Sequence, residues 1–543
     1  MKLDYFPSTG MFALAVPRAD AKLVSLLQEE HGLDFSSRAS TAQKAVMIPQ
    51  NVYAAAAYAE YATDEARAKL APVMSHVEAS WEKRGRKEYY GAKRDVKLWP
   101  FQCAGIEYAM PRLNEGVGVL VGDEPGLGKT PTSICVANEM EAKRVLVICP
   151  ANIRLQWAKQ IRVWSQIKGR YLVYPILKSS DGVHPRAEWT IISYDLLRSP
   201  GVRAALREQR FDLGILDEAH YLKTPAAQRT EAIFGDGGVA ANCGTILGLT
   251  GTPLPNRPRE CYTLSKNLCW SAIDFASEKA FRERFNPQQV GERKNAAGQI
   301  VGRYSREASG RAPELQARLR ANFMVRRLKR DVLDQLPEIR YEIVHVEETG
   351  DIRKALEAEK MLDIDPEDVR IDAKILGHIS VVRHMMGVAM APQVASYADY
   401  VMESGVDKLV IFSWHKEVLN ILQSVLSKWG VLRVDGSTSP ARRQMAVDEF
   451  VANPNKKVFI GNLEAVGTGT DGLQKVCSRG IFAESDWTWA KNEQGVGRLE
   501  RIGQNSGILI EFMVAPGSIS ERVLGTSLRK LRDIHAALDK RTI

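Results

Sequence analysis

The densest chemistry in this sequence lies at Gly122-Asp123-Glu124-Pro125-Gly126-Leu127-Gly128-Lys129-Thr130. Glycines at such spacing let backbone N–H groups close around phosphate oxygens, and a helix opening at the end of the stretch adds positive potential. Lys129 has the reach for β- and γ-phosphates, and the Thr130 hydroxyl is a hard oxygen ligand for Mg²⁺. Asp123 departs from the first glycine of the strict phosphate-loop pattern, so the loop is a variant of it. A second group, Asp217-Glu218-Ala219-His220, ends the apolar run Leu213–Leu216. Carboxylates at the C-terminal edge of a strand suit a nucleotide site. Asp217 is placed to hold Mg²⁺ through its water shell, and Glu218 to orient and deprotonate an attacking water. A third group runs from Gln494 to Gln504 and carries Arg498 and Arg501 three residues apart. That spacing predicts one face of a helix, able to present guanidinium charge to a γ-phosphate.

Such groups need parallel strands to position them, and the sequence supplies two series. The first is Val117–Val121, Val145–Cys149, Thr190–Ile192, Leu213–Leu216 and Ile246–Leu249. The second is Leu409–Phe412, Val431–Val434, Val458–Ile460 and Gly480–Ala483. Short apolar runs alternating with helical patterns mark doubly wound sheets. Residues 256–330 and 350–405 read as helical, the former polar and basic. Before the first series, Met11–Val16 and Ala45–Ile48 read as strands. Leu23, Leu26 and Leu27 have helical spacing with Gly32 as a stop, and Val52–Tyr61 is an alanine-rich helix. The expected fold is α/β: two RecA-like doubly wound lobes with helical insertions, preceded by a small α/β N-terminal domain. Its expected divisions are 1–92 (the small domain and a basic linker), 93–255 (first lobe), 256–337 (helical insertion), 338–405 (helical insertion of the second lobe) and 406–543 (second lobe with C-terminal helices).

Composition narrows the class. The 543 residues are 45% hydrophobic and 26% charged, which excludes a largely disordered chain. The net charge of +9 favours a polyanionic partner. No apolar run approaches a membrane span of roughly 18–20 residues. Seven cysteines without a C-x-x-C pair speak against a zinc site or a disulfide framework. A soluble intracellular protein is expected, with no membrane partner. Compact length points to the cytoplasm or nucleoid of a bacterium or a phage-infected cell.

Taken together and in order, these motifs resemble the Swi/Snf-related ATPases of helicase superfamily two, from about Leu98 to Ala515. Leu98-Trp99-Pro100-Phe101-Gln102 resembles the Q motif, which implies that Gln102 reads adenine. Gly122–Thr130 is similar to motif I, with Pro125 where the family commonly has Met. Proline removes one possible N–H contact. Cys149–Trp157 resembles motif Ia, Ile192–Asp195 motif Ib, Asp217–His220 motif II and Leu249–Pro253 motif III. In the second lobe, Leu409–Trp414 resembles motif IV, Asp435–Thr438 the turn after the next strand and Gly467–Leu473 a shifted motif V. Gln494–Gln504 resembles motif VI, with Glu500 where His is common. The resemblance implies ATP as substrate with Mg²⁺. It implies catalytic roles for Lys129, Glu218, Gln494, Arg498 and Arg501, nucleotide contacts from Gln102, Gly126, Gly128, Lys129 and Thr130, and metal contacts from Thr130 and Asp217. Arg326–Leu333 with Leu336-Pro337, and Ile411–Ser413 with Asp435–Thr438, are similar to the annealing-helicase (HARP-bearing) branch, in which a small α/β module helps engage branched DNA.

The implied function is ATP-driven translocation on double-stranded or branched DNA without sequence preference, by a monomer acting in remodelling, fork processing or annealing. A strand-separating helicase and a non-catalytic DNA-binding scaffold are the alternatives. Residues 1–80 have the size of a branch-engaging module, and equally of an adaptor or stabilising domain. Two basic stretches are candidate phosphate contacts or solvated faces: Trp81–Lys97, with seven basic and three acidic residues, and Arg318–Arg330, with six basic and none acidic. Trp81, Tyr89 and Tyr90 offer rings for unpaired bases, or for packing on the first lobe.

Overall fold

Continuous apolar runs become buried strands here because helices cover both faces of each large sheet. The structure, a computed structural model, describes residues 1–17, 24, 27, 43–49, 51–92, 94–167, 172–254, 257–275, 277–294, 300–307, 311–333, 337–361, 373–467, 470–501 and 503–538. The chain divides into two compact units. One comprises Met1–Gln288, Glu307–Val332 and Arg532–Ile543, and the other Gln289–Arg306 and Leu333–Leu531.

The first unit begins with an antiparallel sheet of β1 (Lys2–Phe6), β2 (Met11–Pro17) and β3 (Gln43–Pro49). Pairing Leu3 with Leu14 and Phe12 with Ile48 sets the apolar face of this sheet. Of the helix expected after β2, Leu27 is helical and fully buried, while Leu23, Leu26 and Gly32 lie outside the described residues. The alanine-rich segment forms a helix over Val52–Ala56 and a short 3-10 turn over Ala59–Tyr61. A longer helix, Asp64–Trp81, follows, opened by Asp64 and Glu65 in its first turn.

The larger sheet of this unit contains β4 (Val119–Val121), β5 (Val145–Cys149), β6 (Val173–Pro175), β7 (Trp189–Ser193), β8 (Phe211–Asp217) and β9 (Cys243–Leu249). Together with β12 (Met324–Val325), these seven strands lie in the order β12-β4-β9-β8-β5-β7-β6, all parallel. The carboxyl ends of β4, β8 and β9 therefore open on one edge, where residues 122–130, 217–220 and 250–253 follow. The second unit holds a two-stranded sheet of β10 (Gln288–Lys294) and β11 (Ile300–Glu307). Its six-stranded parallel sheet contains β13 (Ile339–His345), β14 (Leu409–Ser413), β15 (Leu432–Val434), β16 (Val458–Asn462), β17 (Arg479–Phe482) and β18 (Ile508–Val514), in the order β13-β18-β17-β14-β16-β15. Two RecA-like doubly wound sheets, the two-stranded sheet and a small N-terminal antiparallel sheet are the sheets of the described residues.

Two segments expected to be helical carry strands. Residues 338–405 open with β13, an edge strand whose Tyr341 and Ile343 are half exposed, and only then form the helices Gly350–Lys360 and Ala373–Glu403. Alternating charged and apolar residues at a sheet edge have no continuous apolar run to betray them. Residues 256–337 likewise contain β10, β11 and β12.

The basic run Arg318–Arg330 is neither a phosphate-binding patch nor a solvated face. Arg318, Arg320, Arg326, Arg327 and Lys329 are all buried, and only Arg330 is exposed. Arg318 Nε donates to Glu314 at 3.0 Å, and the same buried carboxylate accepts from Arg284 and from Asn51 of the N-terminal domain. Those partners hold the Glu314 carboxyl below its ordinary range against the upward push of burial. Arg320 is 0% exposed. It donates to the carbonyls of Leu538 at 2.7 Å and Arg326 at 3.1 Å and to Ser80 Oγ at 3.3 Å, and its guanidinium lies 3.3 Å from the Trp81 ring centroid. Trp81 is thereby a packing residue. Tyr89 also packs against the first-lobe core. Tyr90 bonds to Glu88 on the surface.

All seven cysteines are free thiols. Six are buried, Cys243 is partly so, and burial pushes the thiols of Cys135, Cys243, Cys261 and Cys477 up to about 12.

Arg320→Ala would strand two carbonyls and expose the Trp81 face, lowering stability by about 3 kcal/mol in denaturant titration. Duplex affinity per folded molecule is expected to stay unchanged. Weakened DNA binding at wild-type stability would return the run to the DNA-contact class.

Candidate active site

Residues 122–130 take their shape from a strand-like pairing with residues 324–329. Gly122 N–H donates to Val325 O at 2.7 Å and Glu124 N–H to Arg327 O at 3.1 Å. In return Arg327 N–H donates to Asp123 Oδ1 at 2.8 Å, and Lys329 N–H to Glu124. Arg326 Nη1 bridges Gly122 O at 2.7 Å and Gly251 O at 3.0 Å, joining the loop after β4 to the loop after β9. Asp123, at the position where a glycine was expected, is the buried partner of Arg327.

Beyond this clamp the chain turns at Gly126 (φ 92°) and Gly128 (φ 75°), both left-handed, and enters the helix Lys129–Glu139. A Cβ on Gly128 would stand 2.3 Å from Gln102 Nε2. Gln102 is buried, and its amide serves the loop. Nε2 donates to Leu127 O at 3.0 Å and Gly128 O at 3.2 Å, while Oε1 accepts from Trp99 N–H at 2.8 Å. Pro125 packs on Gly251, where a Cβ would meet its Cγ at 2.7 Å. Lys129 Nζ donates to Asp123 O at 2.6 Å and Glu124 O at 3.1 Å. Burial pushes this ammonium down in pKa, opposed by the charges of Glu218, Asp123 and Asp217.

Asp217 closes β8, and Glu218 follows in the left-handed region (φ 51°). A non-glycine residue held there is strained, as is common at active sites. Burial raises the Asp217 carboxyl, and the adjacent Glu218 charge raises it further. Buried Asp217 and part-exposed Glu218 thus lie near one ammonium. Both carboxylates are hard-oxygen donors of the kind that suits Mg²⁺, whose charge would relieve their repulsion. His220 Nδ1 lies 3.2 Å from Glu218 Oε2 and 3.0 Å from Thr250 Oγ1, so the second and third loops are joined by an imidazole. Thr250 Oγ1 also accepts from Thr252 N–H at 3.0 Å. Two aromatic donors complete the edge. Trp157 Nε1 donates to Asp217 Oδ2 and Tyr194 Oη to Asp217 O, both at 2.7 Å. Neither role was legible from spacing, since Trp157 and Asp217 are 60 residues apart.

In the second unit, the helix Trp489–Val496 ends before Arg498, so the arginine pair lies on a turn rather than on a helix face. Gly495 and Gly497 disfavour continuation. Arg498 Nη1 donates to Thr470 O at 2.6 Å and Nη2 to Gly467 O, while Arg501 Nη1 pairs with Asp471 at 2.8 Å. Gln494 packs beside Gly467, where an added Cβ would meet its own at 3.3 Å. The segments resembling motifs V and VI are therefore locked together. Asp435 caps its turn, accepting from Ser437 N–H at 2.9 Å. At the end of β17, Glu484 is buried and accepts from Ser413 Oγ at 2.6 Å, from the Trp414 and His415 N–H groups at 2.9 Å each, and pairs with His415 Nδ1 at 2.6 Å.

A variant phosphate loop, a strand-end Asp-Glu-Ala-His and a second RecA-like sheet, in this order, are the arrangement of the nucleotide-hydrolysing proteins of helicase superfamily two. Within it the chain belongs to the SNF2-related family: the SNF2-related domain model matches residues 101–386, and the helicase conserved C-terminal domain model residues 393–503. The DNA annealing helicase and endonuclease ZRANB3 of Bos taurus is 27% identical over 461 residues, covering 83% of this chain and 41% of that protein. The SWI/SNF-related matrix-associated actin-dependent regulator of chromatin subfamily A-like protein 1 of Xenopus tropicalis is 29% identical over 438 residues, 79% of this chain and 44% of its own length. The chain thus spans about two fifths of the length of these two curated relatives. The Sulfolobus solfataricus SWI2/SNF2 ATPase core in complex with dsDNA aligns over 83% of this chain and 98% of its own, at 17% identity and a TM-score of 0.39. Among the described residues, no helix is long and apolar enough to cross a membrane.

Glu484 yields a pH prediction. Burial raises its carboxyl, but the His415, Ser413 and backbone bonds outweigh this and bring it from 4.5 down to about 2. A depressed carboxylate stabilises the fold above its unfolded pKa, and the contribution is lost as pH falls from about 4.5 toward 2. The loss over that window is expected to be about 3 kcal/mol. Glu484→Gln should flatten it in acid-unfolding curves, and an unaltered acid limb would refute the assignment.

Proposed function

We propose that this chain is an ATP-driven translocase on double-stranded DNA, working in remodelling, fork processing or strand annealing. The observation that carries this reading is the edge formed by Lys129, Asp217 and Glu218, clamped by Arg326 and joined to Thr250 through His220. Gly126, Gly128 and the N–H groups opening the Lys129–Glu139 helix would cradle the phosphates, with Lys129 moving from the loop carbonyls to the β- and γ-phosphate oxygens. Gln102 would serve the nucleotide through the loop it braces, and through the adenine the resemblance assigns to it.

Thr130 and Asp217 are the residues to hold Mg²⁺, which when bound offsets charge on the β- and γ-phosphates. Glu218 would orient and deprotonate the attacking water. Arg498 and Arg501, with Gln494, are proposed to stabilise charge developing on the γ-phosphoryl group. The segments resembling motifs Ia, Ib and V would touch backbone phosphates, which carry no sequence information. A preference for branched DNA then needs a second contact, and residues 1–92 are the candidate. One relative is named a DNA annealing helicase, which supports a branched substrate but not which residues engage it. The working species is proposed to be a monomer.

The test is phosphate release with and without duplex DNA. Lys129→Ala should abolish turnover. Glu218→Gln should retain nucleotide and lose at least about 10²-fold in rate, as removal of a general base implies. Wild-type turnover in Glu218→Gln would sink the proposal. Duplex affinity should fall by roughly 10³–10⁵ between about 50 and 200 mM salt if six to ten phosphates are contacted. A flat salt response would count against backbone tracking.

A further inference from the structure

A metal-binding carboxylate works best when something fixes its plane, and Asp217 has such a group in Trp157. The indole is 1% exposed, on the helix Arg154–Trp164, whose Ala158 and Ile161 are also buried. Its Nε1–H donates to Asp217 Oδ2 at 2.7 Å, while Asp217 Oδ1 accepts from Glu218 N–H at 3.0 Å. Each oxygen is therefore oriented by one fixed donor and keeps acceptor capacity for another partner. An indole N–H can only donate, so it aligns the carboxylate without competing for a cation. We propose that Trp157 is a positioning residue that presents Asp217 to the nucleotide-bound Mg²⁺.

The proposal rests on the reading of Asp217 as the Mg²⁺ carboxylate. It adds a partner outside the acidic motif, on the segment assigned to DNA phosphates. Tyr194 provides the comparison, because its hydroxyl holds the Asp217 backbone carbonyl and leaves the carboxylate untouched. A merely structural contribution from this strand end would make both aromatic substitutions behave alike.

The experiment titrates Mg²⁺ against binding of a fluorescent, non-hydrolysable ATP analogue (mant-AMPPNP), with a parallel series in EDTA. Trp157→Phe should raise the Mg²⁺ midpoint about 10–100-fold, the usual effect of losing an outer-shell partner, with the EDTA affinity unchanged. Benzothienylalanine at position 157 replaces the N–H by sulfur at nearly constant volume, so it should do the same without disturbing the core. Tyr194→Phe should stay near the wild-type midpoint. A shift in Asp217→Asn with none in either Trp157 variant overturns the proposal, as does an equal shift in Tyr194→Phe. An unshifted Asp217→Asn removes the metal reading beneath it.

Discussion

Two arginines buried behind the phosphate loop hold the loops after β4 and β9 in place. Burying a guanidinium is unfavourable unless its donors are satisfied. Here the satisfying groups are the functional segments themselves. Arg326 takes the carbonyls of Gly122 and Gly251, and Arg327 takes the Asp123 carboxylate and the carbonyl of Glu82. The Arg326 donors meet their carbonyls, and the Arg327 cation its carboxylate, only while the loops after β4 and β9 hold their positions. Gly105 belongs to the same arrangement, since a Cβ there would lie 3.1 Å from Arg327 Nη1. The loop is thus held from behind by charge, which leaves its glycine-rich front open to phosphate.

The central strands were legible because they are apolar on both faces. The runs at Val145–Cys149 and Leu409–Phe412 coincide with β5 and β14 almost residue for residue. The edges were not. β13 carries Arg340 and Glu342 between its apolar residues, so its sequence resembles a helix flank as much as a strand. The acidic pair and the glycine-rich loop could be singled out because the residues of each are adjacent in sequence, and the structure places both at one sheet edge. The Arg318–Arg330 run was misread because charge patterning assumes that cations seek water, whereas these seek carbonyls from segments distant in sequence. The same holds for Trp157, Tyr194 and the loop-bracing bonds of Gln102, each a contact between segments well separated along the chain.

The N-terminal domain is integral to its unit. Asn51 reaches Glu314, Tyr53 lies over the Arg318 guanidinium, and the Asp64–Trp81 helix brings Ser80 and Trp81 to Arg320. Removing residues 1–92 would uncover a buried carboxylate and two buried guanidinium groups at once. A role in choosing DNA structure therefore has to be tested by surface substitutions, not by excision.

The buried thiols have a practical corollary. With six of seven sulfurs enclosed and four of the thiols displaced to about 12, the native chain offers little thiolate to maleimide dyes near neutral pH. One cysteine engineered onto the solvent face of the helix Lys416–Val425, as at Ser424, would then be the preferred attachment point. A fluorophore there would report on the second lobe without first stripping the sequence of its own cysteines.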